Sequence, residues 1–371
     1  MNSASPIALP VITPPISPEA PPPPATGSSY LRSNTEVLVE NGNLKVTQEI
    51  RTSYRDPNNP QHTATILTLE TGDASDVIHI SQHADRRLSV SVNDQTYTLN
   101  NPPPTSHTSP AKDTPVPFLS LNTLTAGGND NITLDPTVTA AVTIHAGDGN
   151  DTVHASSGTT TVYGGRRRDH IRLGSGAGYA EGNEGNDTLI GVTGNGVMYG
   201  NQGKDVLYAG AGPTTKKSYL DGGDGNDRLY ASNGHTVING GKGNDRIVAH
   251  DEATIYTGKG FDRVWANGNA ARIYVKNGDR LSDTEQSTIT RVTPTDAGQR
   301  AFSIVGSDVF KERVEDDLEL LRSSPAGRVM LEEMDKAADR NGAPVTIMQS
   351  DFINMYGFNT TELENSRAAN S

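Results

Sequence analysis

An aspartate closes a glycine-rich loop repeatedly in the middle of this 371-residue chain. Residues 222–247 read GGDGNDRLYASNGHTVINGGKGNDRI, so one loop returns after eighteen positions. Carboxylate and backbone carbonyl oxygens, without sulfur or imidazole, form a ligand set that suits Ca2+ better than zinc. The pattern therefore predicts divalent-cation binding in these loops. The aspartates that mark the repeat are Asp130, Asp151, Asp169, Asp187, Asp205, Asp227, Asp245, Asp262 and, as a weaker marker of the spacing only, Asp279.

The spacing of these aspartates predicts a chain that coils on itself. Four of the steps are eighteen residues, and the longer step from Asp205 to Asp227 contains GPTTKKS, a loop that a coil can extrude without losing register. An aliphatic residue follows each aspartate by two positions and another stands nine further on, as two short parallel strands joined by two turns require. These inward residues are Val153, Ile171, Leu189, Leu207, Leu229, Ile247 and Val264 in one strand and Val162, Ala180, Met198, Leu220, Ile238 and Ile255 in the other.

The aliphatic side chains predict how the coils are stabilised. Each is worth about 1.5–3 kcal/mol when buried, but no single coil can bury its own, so stability must come from stacking. We therefore predict an all-β fold, a parallel β-roll or β-solenoid with coils of about eighteen residues. A disordered Pro-rich N-terminus and a small α/β C-terminal segment flank it.

The second turn of each coil carries a glycine but no acid. The residues that match the loop aspartate there are Thr160, Gly178, Gly196 and Thr236. The acidic loops are therefore predicted to line only one edge of the solenoid. The second-turn glycines, suited to positive φ, are Gly158, Gly176, Gly194, Gly212 and Gly234.

Stacked acidic loops need a positive partner. Parallel strands lie about 4.8 Å apart, and at an effective dielectric constant of about 20 two carboxylates at that distance repel by about 3.5 kcal/mol. A cation between adjacent coils would remove this repulsion, with each loop supplying half a site. The predicted metal ligands are Asp130, Gly147, Gly149, Asp151, Asp169, Gly182, Gly185, Asp187, Gly200, Gly203, Asp205, Gly222, Gly225, Asp227, Gly240, Gly243, Asp245 and Asp262.

Basic residues in the loops leave an alternative open. The loop GGRRRD carries three arginines, and lysines stand at variable positions of other loops. Such side chains could bridge the aspartates directly and give a metal-free solenoid. The loop of Asp169 departs most from the acidic pattern, and the basic residues are Arg166, Arg167, Arg168, Lys204, Lys242 and Lys259.

The repeats resemble a known family. The segments GGDGNDRLY, GGKGNDRIV, AGDGNDTVH and EGNEGNDTLIG are similar to the RTX, or haemolysin-type, nonapeptide repeat GGxGxDxUx. The resemblance covers about residues 124–282 and implies a calcium-stabilised parallel β-roll with several Ca2+ ions along one edge. This sequence departs from the family by lacking the second acidic edge, which halves the number of possible sites.

Composition limits the classes of partner. Only 33% of the residues are hydrophobic, against about 45–50% in ordinary domains, so one large compact core is not expected. A net charge of −13 argues against a nucleic-acid partner. The absence of cysteine excludes disulfides and thiolate metal sites, and no apolar run reaches the about 18–20 residues of a membrane span. We expect a host or extracellular protein as partner, with no prediction of oligomeric state.

The region before the repeats divides into two parts. Residues 1–32 are Ser/Pro-rich and are predicted to be a disordered leader for export, with a plain linker as the alternative. Residues 33–123 are predicted to be a β-rich N-terminal cap with a Pro-rich loop at 101–117. In this cap TEVLVENGNLKVTQEIR predicts a β-hairpin around Asn-Gly, and GDASD at 72–76 resembles a degenerate repeat loop.

After the solenoid, predicted over 124–282, residues 283–306 are predicted to be a linker and 307–371 a helical segment with the order α-α-β. Ser307 can cap the first helix, and Ser324-Pro325 can start the second, which ends at Asn341-Gly342 before the strand PVTIM. A small packing module or a C-terminal cap would explain this pattern. The predicted inward residues are Phe310, Val314, Leu318 and Leu321, then Met330, Leu331, Met334 and Ala338.

The C-terminal segment also resembles a known family. FKERVEDDLELLRSSPAGRVMLEEMDKAADRNGAPVTI is similar to the opening of the catalytic domain in bacterial effector zinc metallopeptidases. The resemblance implies delivery by type III secretion into a host cell and cleavage of host signalling proteins at an HExxH centre. No HExxH occurs in this sequence, and His79 and His83 in HISQH lack the glutamate. We therefore predict no catalytic residue and no zinc site in this chain.

Three functions from different classes follow. The first is a secreted, non-catalytic calcium-binding solenoid that serves as a virulence effector or toxin scaffold. The second is a truncated or split zinc metallopeptidase effector whose catalytic centre lies beyond Ser371 or on another chain. The third, a pectin-degrading β-helix enzyme, fits less well because its coils are larger and no acid and Arg/Lys cluster stands out.

Overall fold

The computed structural model describes residues 30–349, except 57–58, 86, 100–117, 251, 269 and 294. The predicted leader up to residue 29 and the Pro-rich loop 101–117 therefore lie outside the described residues. Within the described residues the chain is built mainly from short strands, followed by two helices near its C-terminal end.

The strands and helices follow one another in a regular order. They are β1 (Tyr30–Asn41), β2 (Leu44–Asp56), β3 (Asn59–Thr71), β4 (Val77–Gln82), β5 (Leu88–Val92), β6 (Gln95–Leu99), β7 (Phe118–Thr125), β8 (Asn131–Leu134), β9 (Ala141–Asp148), β10 (Thr152–His154), β11 (Thr160–Arg166), β12 (His170–Arg172), β13 (Gly178–Gly185), β14 (Thr188–Ile190), β15 (Gly196–Gly203), β16 (Val206–Tyr208), β17 (Lys217–Asp221), β18 (Asp224–Gly225), β19 (Arg228–Tyr230), β20 (His235–Asn239), β21 (Arg246–Ala249), β22 (Ala253–Tyr256), β23 (Arg263–Ala266), β24 (Arg272–Val275), β25 (Arg280–Ser282), β26 (Thr288–Arg291), β27 (Phe302–Val305), α1 (Asp308–Arg322), α2 (Pro325–Asn341) and β28 (Val345–Met348).

Two long sheets form the two walls of a parallel β-solenoid, which confirms the predicted fold class. The first sheet has the strand order β1-β2-β3-β7-β9-β11-β13-β15-β17-β20-β22-β24-β26, with β18 beside β15. The second sheet has the order β25-β23-β21-β19-β16-β14-β12-β10-β8-β4-β5-β6. Because consecutive strands of one sheet come from consecutive coils, each coil contributes one strand to each wall. From β7 and β8 onward the pairing within both sheets is parallel.

The core is a narrow column of aliphatic side chains between the walls. In each wall every second side chain points inward, so one residue of each three-residue strand in the second sheet is buried. Val153, Ile171 and Leu189 occupy equivalent positions on neighbouring strands, and all three are fully buried. Val162, Ala180 and Met198 face them from the first sheet, also fully buried. The predicted inward residues of both strands are thus confirmed.

The N-terminal cap is antiparallel where the solenoid is parallel. β1 and β2 form the predicted hairpin, with Asn41 opposite Leu44 across the turn. β3 then pairs in parallel with β7, and β4 with β8, so these two strands already follow the coil geometry. The degenerate loop at 72–76 joins them, which confirms its resemblance to a repeat loop.

The C-terminal end is a small α/β module. The residues predicted as a linker, 283–306, contain β26, which adds the last strand to the first sheet, and β27, which pairs in parallel with β28. Ser307 caps α1 and Ser324 caps α2, as predicted, and α2 ends at Gly342 in the left-handed conformation.

The residues predicted to point inward from α1 and α2 include one that the structure exposes. Phe310, Val314, Leu318 and Leu331 form the small hydrophobic core of this module. Met330 was predicted to point inward, but 45% of its surface is exposed, because it precedes the buried Leu331 by one position and one helical residue turns about 100° from the next. The buried apolar face of α2 is therefore narrower than predicted.

Helix α1 lies against the first sheet of the solenoid. Arg313 donates hydrogen bonds to the carboxylate of Glu181 and to the hydroxyl of Tyr179 at 2.9 Å. Further along the helix, Lys259 Nζ lies 3.0 Å from a carboxylate oxygen of Glu319. The C-terminal module is thus bound to the coils through polar contacts. None of the helices among the described residues has the length and apolar character needed to cross a membrane.

Gly243, two residues before the loop aspartate Asp245, gives a test of coil stacking. In Gly243→Ala the new Cβ would lie 1.3 Å from the carbonyl oxygen of Gly225 in the preceding coil, at a φ of +135°. We expect a loss of roughly 2–4 kcal/mol in the free energy of unfolding, measured by urea denaturation.

Gly72→Ala is the matched control, because nothing lies within 4 Å of its Cβ and its φ is not in the left-handed range. It should change stability by less than about 0.5 kcal/mol. Equal effects of the two substitutions would contradict the stacked-coil geometry.

Candidate metal centre

The acidic edge of the solenoid is formed by loops of six residues that each connect a strand of the first sheet to one of the second. We number the loop positions one to six, so that the aspartate is always sixth. We call the stack of these loops the acidic edge, and it comprises residues 71–76, 125–130, 146–151, 164–169, 182–187, 200–205, 222–227, 240–245 and 257–262.

The sixth-position aspartates form a continuous column of hydrogen bonds. Asp187 Oδ1 accepts a hydrogen bond from the backbone N–H of Asp169, its equivalent in the preceding coil, at 2.7 Å. The same bond recurs at every step of the column, with distances of 2.7 to 3.1 Å, from Asp76 to Asp279. One oxygen of each carboxylate therefore joins two coils. The sequence did not predict this bond, because spacing shows which residues stack and not which atoms meet.

The second oxygen of most of these carboxylates has no partner. The Oδ2 atoms are buried and accept no hydrogen bond from the described residues. A buried acceptor without a donor is costly, and its recurrence at the same position of successive coils needs a common cause. The aspartates with such an atom are Asp76, Asp130, Asp151, Asp169, Asp187, Asp205, Asp227, Asp245 and Asp262.

Backbone carbonyls face the same space as these oxygens. A Cβ built on Gly182, in the first loop position, would lie 2.4 Å from Asp187 Oδ2 and 2.9 Å from the carbonyl oxygen of Gly200 in the next coil. Gly222 gives the same arrangement with Asp227 Oδ2 and the carbonyl of Gly240, at 2.6 and 2.5 Å. A carboxylate oxygen and a carbonyl oxygen thus face one small space, which is open because the first position lacks a side chain.

Burial perturbs the protonation of the column. Removal from water raises the pKa of Asp151 to about 6 and that of Asp227 to about 9, and neighbouring aspartates add to the second shift. Desolvation likewise raises the pKa of Asp187 to about 7 and that of Asp245 to about 8. The carboxylates are therefore held in a site that resists negative charge unless a cation or a proton compensates it.

These residues fit a calcium ion in chemistry. The available donors are carboxylate and carbonyl oxygens, which suit Ca2+. Among the described residues no group of three His, Cys, Asp or Glu side chains converges on one point. Backbone carbonyls would therefore have to supply most ligands of any ion on this edge.

The predicted glycine ligands divide into two groups. First-position glycines, among them Gly182, Gly200, Gly222 and Gly240, line the space beside Oδ2. Fourth-position glycines lie directly over a carbonyl of the preceding coil, where any Cβ would come within about 1.6 Å or less. They permit close stacking whether or not their own oxygens bind an ion, and they are Gly149, Gly185, Gly203, Gly225 and Gly243. Gly147, in the second position, adopts a φ of +91°.

The basic loop residues do not bridge the buried aspartates. Arg166 lies 3.5 Å from Asp148 and 3.6 Å from Glu184, both exposed third-position acids of adjacent coils. Lys242 contacts Asp224, again in the third position, at 2.7 Å. The structure therefore does not support the alternative in which basic side chains take the place of a cation beside the sixth-position aspartates. The loop of Asp169, despite its arginines, keeps the same unpartnered Oδ2.

The fifth position carries a second ladder that runs in the opposite direction. Asn226 Oδ1 accepts from the backbone N–H of Asn244 in the following coil at 2.8 Å, and Asn150 stands in the same relation to Asn129. The asparagine therefore has a structural role, which explains the recurring GND. This signal was visible in the sequence.

The opposite edge holds a cation of its own. Lys216, from the inserted loop, is almost fully buried, and its ammonium donates hydrogen bonds to the carbonyl oxygens of Val192, Ala209 and Gly210. Burial lowers the pKa of Lys216, whereas the three carbonyls favour its charged form. A lysine thus neutralises carbonyl oxygens on the edge without acidic loops. The sequence analysis missed this residue.

Comparison with known proteins agrees with both predicted resemblances. Residues 140–162, 154–177, 181–215 and 219–251 match the RTX calcium-binding nonapeptide repeat in four copies. Residues 298–370 match the peptidase M91 family, which is described as an effector protein. No curated protein and no solved structure matches the chain. The coils are thus similar to calcium-binding repeats, and the C-terminal segment is similar to an effector family.

The raised pKa values predict an unusual pH dependence for the metal-free protein. An acid whose folded pKa exceeds its unfolded value, about 3.9 for aspartate, binds more protons when folded. The stabilisation that these acids contribute is then fully present below about pH 4, and it is lost as the pH rises through their folded pKa values of about 6 to 9. In the presence of chelator, the urea concentration at the unfolding midpoint should decrease as the pH is raised from about 5 to about 8.

The pH series has a clear contrary outcome. A urea midpoint that rises over the same interval in chelator would mean that these carboxylates are ionised and stabilised without metal. Circular dichroism at each pH would check that the starting state is folded.

The buried lysine gives an independent prediction. Lys216→Met leaves three carbonyl oxygens without a donor, and one such buried group costs about 1–3 kcal/mol, so we expect a loss of roughly 3 kcal/mol in the free energy of unfolding. Lys217→Met, whose side chain is exposed, is the adjacent control and should change stability by under about 0.5 kcal/mol. Equal stability of the two variants in urea would show that the ammonium is dispensable.

Proposed function

We propose that this chain is a secreted calcium-binding β-solenoid that carries an effector-type C-terminal segment and acts as a scaffold without catalysis of its own. The observation that carries the proposal is the column of buried Oδ2 atoms that face carbonyl oxygens of the next coil. The match to RTX calcium-binding repeats over the same coils supports it.

The favoured calcium sites lie between consecutive coils. In each, Oδ2 of one aspartate and the first-position carbonyl of the next coil would be ligands, for example Asp187 with Gly200 and Asp227 with Gly240. When bound, Ca2+ would supply the positive charge that permits the carboxylates to ionise without repelling each other. Other backbone carbonyls of the same loops would have to complete the set of about six to eight oxygen ligands that calcium takes.

The loop of Asp169 is included in this proposal. Its Oδ2 lies 2.4 Å from the Cβ position of Gly164, and the carbonyl of Gly182 lies 2.7 Å from the same point. This arrangement matches the better-conforming loops. Arg166 turns away to the exposed acids, so it does not occupy the site.

The solenoid would also position the C-terminal module. Third-position loop side chains contact α1: Gln202 donates to Glu312 at 2.8 Å, and Lys242 lies 3.6 Å from Asp316. Because the same loops hold the candidate calcium sites, metal-dependent order in the coils would be passed to the helix. This contact supports a scaffold that presents the effector-type segment to a host or extracellular protein.

Export from a bacterium into a host cell by a type III route, and a role in virulence, belong to this proposal. The effector match over residues 298–370 is their support. The same match favours a second candidate, a split metallopeptidase effector whose HExxH centre is supplied from elsewhere. The sequence of this chain contains no HExxH, so the scaffold function is preferred.

The calcium proposal predicts opposite effects of one double substitution with and without metal. In Asp187→Asn/Asp227→Asn the Oδ1 acceptor is kept, while the new amide can donate to the carbonyl beside it. We expect higher thermal stability than wild type in chelator and loss of the part of the calcium-dependent gain that comes from these two sites, which is about 2.7 kcal/mol per site at a hundredfold excess over Kd. Calorimetry with a calcium titration measures both.

Asp94→Asn is the control, since it makes the same type of substitution once, in an exposed hairpin turn outside the loops. It should respond to calcium as wild type does. An identical calcium response in the double variant, or no response in wild type, would contradict the proposed sites.

A further inference from the structure

The outer face of the second sheet carries a column of arginines. Strands β19, β21, β23 and β25 are adjacent, and Arg228, Arg246, Arg263 and Arg280 occupy equivalent positions on them. Each follows a loop aspartate directly, so its side chain points away from the core. Neighbouring strands lie about 4.8 Å apart, so this arginine column extends over about 14 Å along the solenoid axis.

The arginine column lacks anionic partners. All four side chains are exposed, and none of them forms an ion pair with a described residue. Strands β8 to β25 of the second sheet contain no Asp or Glu at any position. In a chain with a net charge of −13, four stacked guanidinium groups form a separate positive strip.

Two residues further along the strands, aromatic side chains stand on β16, β19 and β23, while Val248 and Ser282 occupy the equivalent positions on β21 and β25. Tyr208 and Tyr230 are stacked on one another with ring centroids 4.6 Å apart and planes 12° apart. Arg246 lies over the ring of Trp265, 4.7 Å from its centroid. One face of each of these three rings is thus covered by a neighbour within the protein. Phenol hydroxyls remain as hydrogen-bonding groups along the strip.

We propose that this strip binds a linear acidic polysaccharide with one carboxylate on each sugar unit. A guanidinium group pairs with a carboxylate through two parallel hydrogen bonds, and one coil step is close to the length of one sugar ring. The tyrosine hydroxyls would hydrogen-bond sugar hydroxyls beside the charged row. The ligand would lie along the solenoid axis with one carboxylate per coil.

Other anionic partners fit this strip less well. Single-stranded nucleic acid binds such surfaces by stacking its bases on aromatic faces, and one face of each of Tyr208, Tyr230 and Trp265 is already covered by a neighbour. An extended acidic peptide places like-facing side chains about 6.6–6.8 Å apart, which does not match the coil step. An anionic membrane would need a broad basic patch, whereas the arginine column is one basic residue wide on each strand.

The test uses the full chain and size-fractionated oligogalacturonates that are too short to gel. Isothermal titration calorimetry should detect binding that weakens as salt rises, with no binding of the methyl-esterified oligomers. The variant Arg228→Gln/Arg246→Gln/Arg263→Gln/Arg280→Gln should lose about tenfold or more in affinity, because it removes all four guanidinium groups that would pair with the carboxylates. The control Arg87→Gln/Arg291→Gln/Arg300→Gln/Arg340→Gln removes the same charge elsewhere and should bind as wild type does.

The competing partners are separate arms of the same experiment. Poly(dT), phosphatidylserine vesicles, polyglutamate and heparin are titrated under identical conditions. Tighter binding of any of these than of the oligogalacturonate, or equal affinity of the two quadruple variants, would overturn the proposal. Because calcium enters none of these steps, the result is independent of the proposed calcium sites.

Discussion

The hydrogen bond from one aspartate N–H to the carboxylate of the next coil is the interaction on which this fold depends. It recurs from Asp76 to Asp279 and fixes the register of every coil on its neighbour. Because it draws the carboxylate inside, it also buries the second oxygen and raises the pKa of the acid. The cost of that buried oxygen explains why the same edge is suited to a hard cation. Structure and binding chemistry thus arise from one side chain.

Much of this architecture could be predicted because it is periodic. The coil was predicted from the spacing of the aspartates and from the aliphatic residues two and eleven positions after them. Val153 and Val162 are buried, as that pattern required. The same logic identified the degenerate loop ending at Asp76. Periodicity averages over several coils, so a single atypical loop such as GGRRRD does not change the result.

What could not be predicted depends on atoms that repeat spacing does not describe. The partner of Oδ1 is a backbone N–H, which every residue possesses, so no residue type signals it. Lys216 lies in an insertion outside the period, and its three carbonyl partners come from two segments of the chain, one at Val192 and one at Ala209 and Gly210. The arginine column was visible as the residue after each late aspartate, but it became interpretable only when the parallel register placed Arg228 beside Arg246.

The aspartate column also has a direction. The donor of each bond belongs to the earlier coil and the acceptor to the later one, as between Asp227 and Asp245. A chain that emerges from its N-terminus therefore presents an open amide at its growing end, and the next coil closes it. The aspartate amide of each coil is thus satisfied only by the coil that follows it, while the fifth-position asparagine ladder runs the other way. The helical module contacts several coils, from Glu181 to Lys259, so its binding surface is complete only when those coils are stacked.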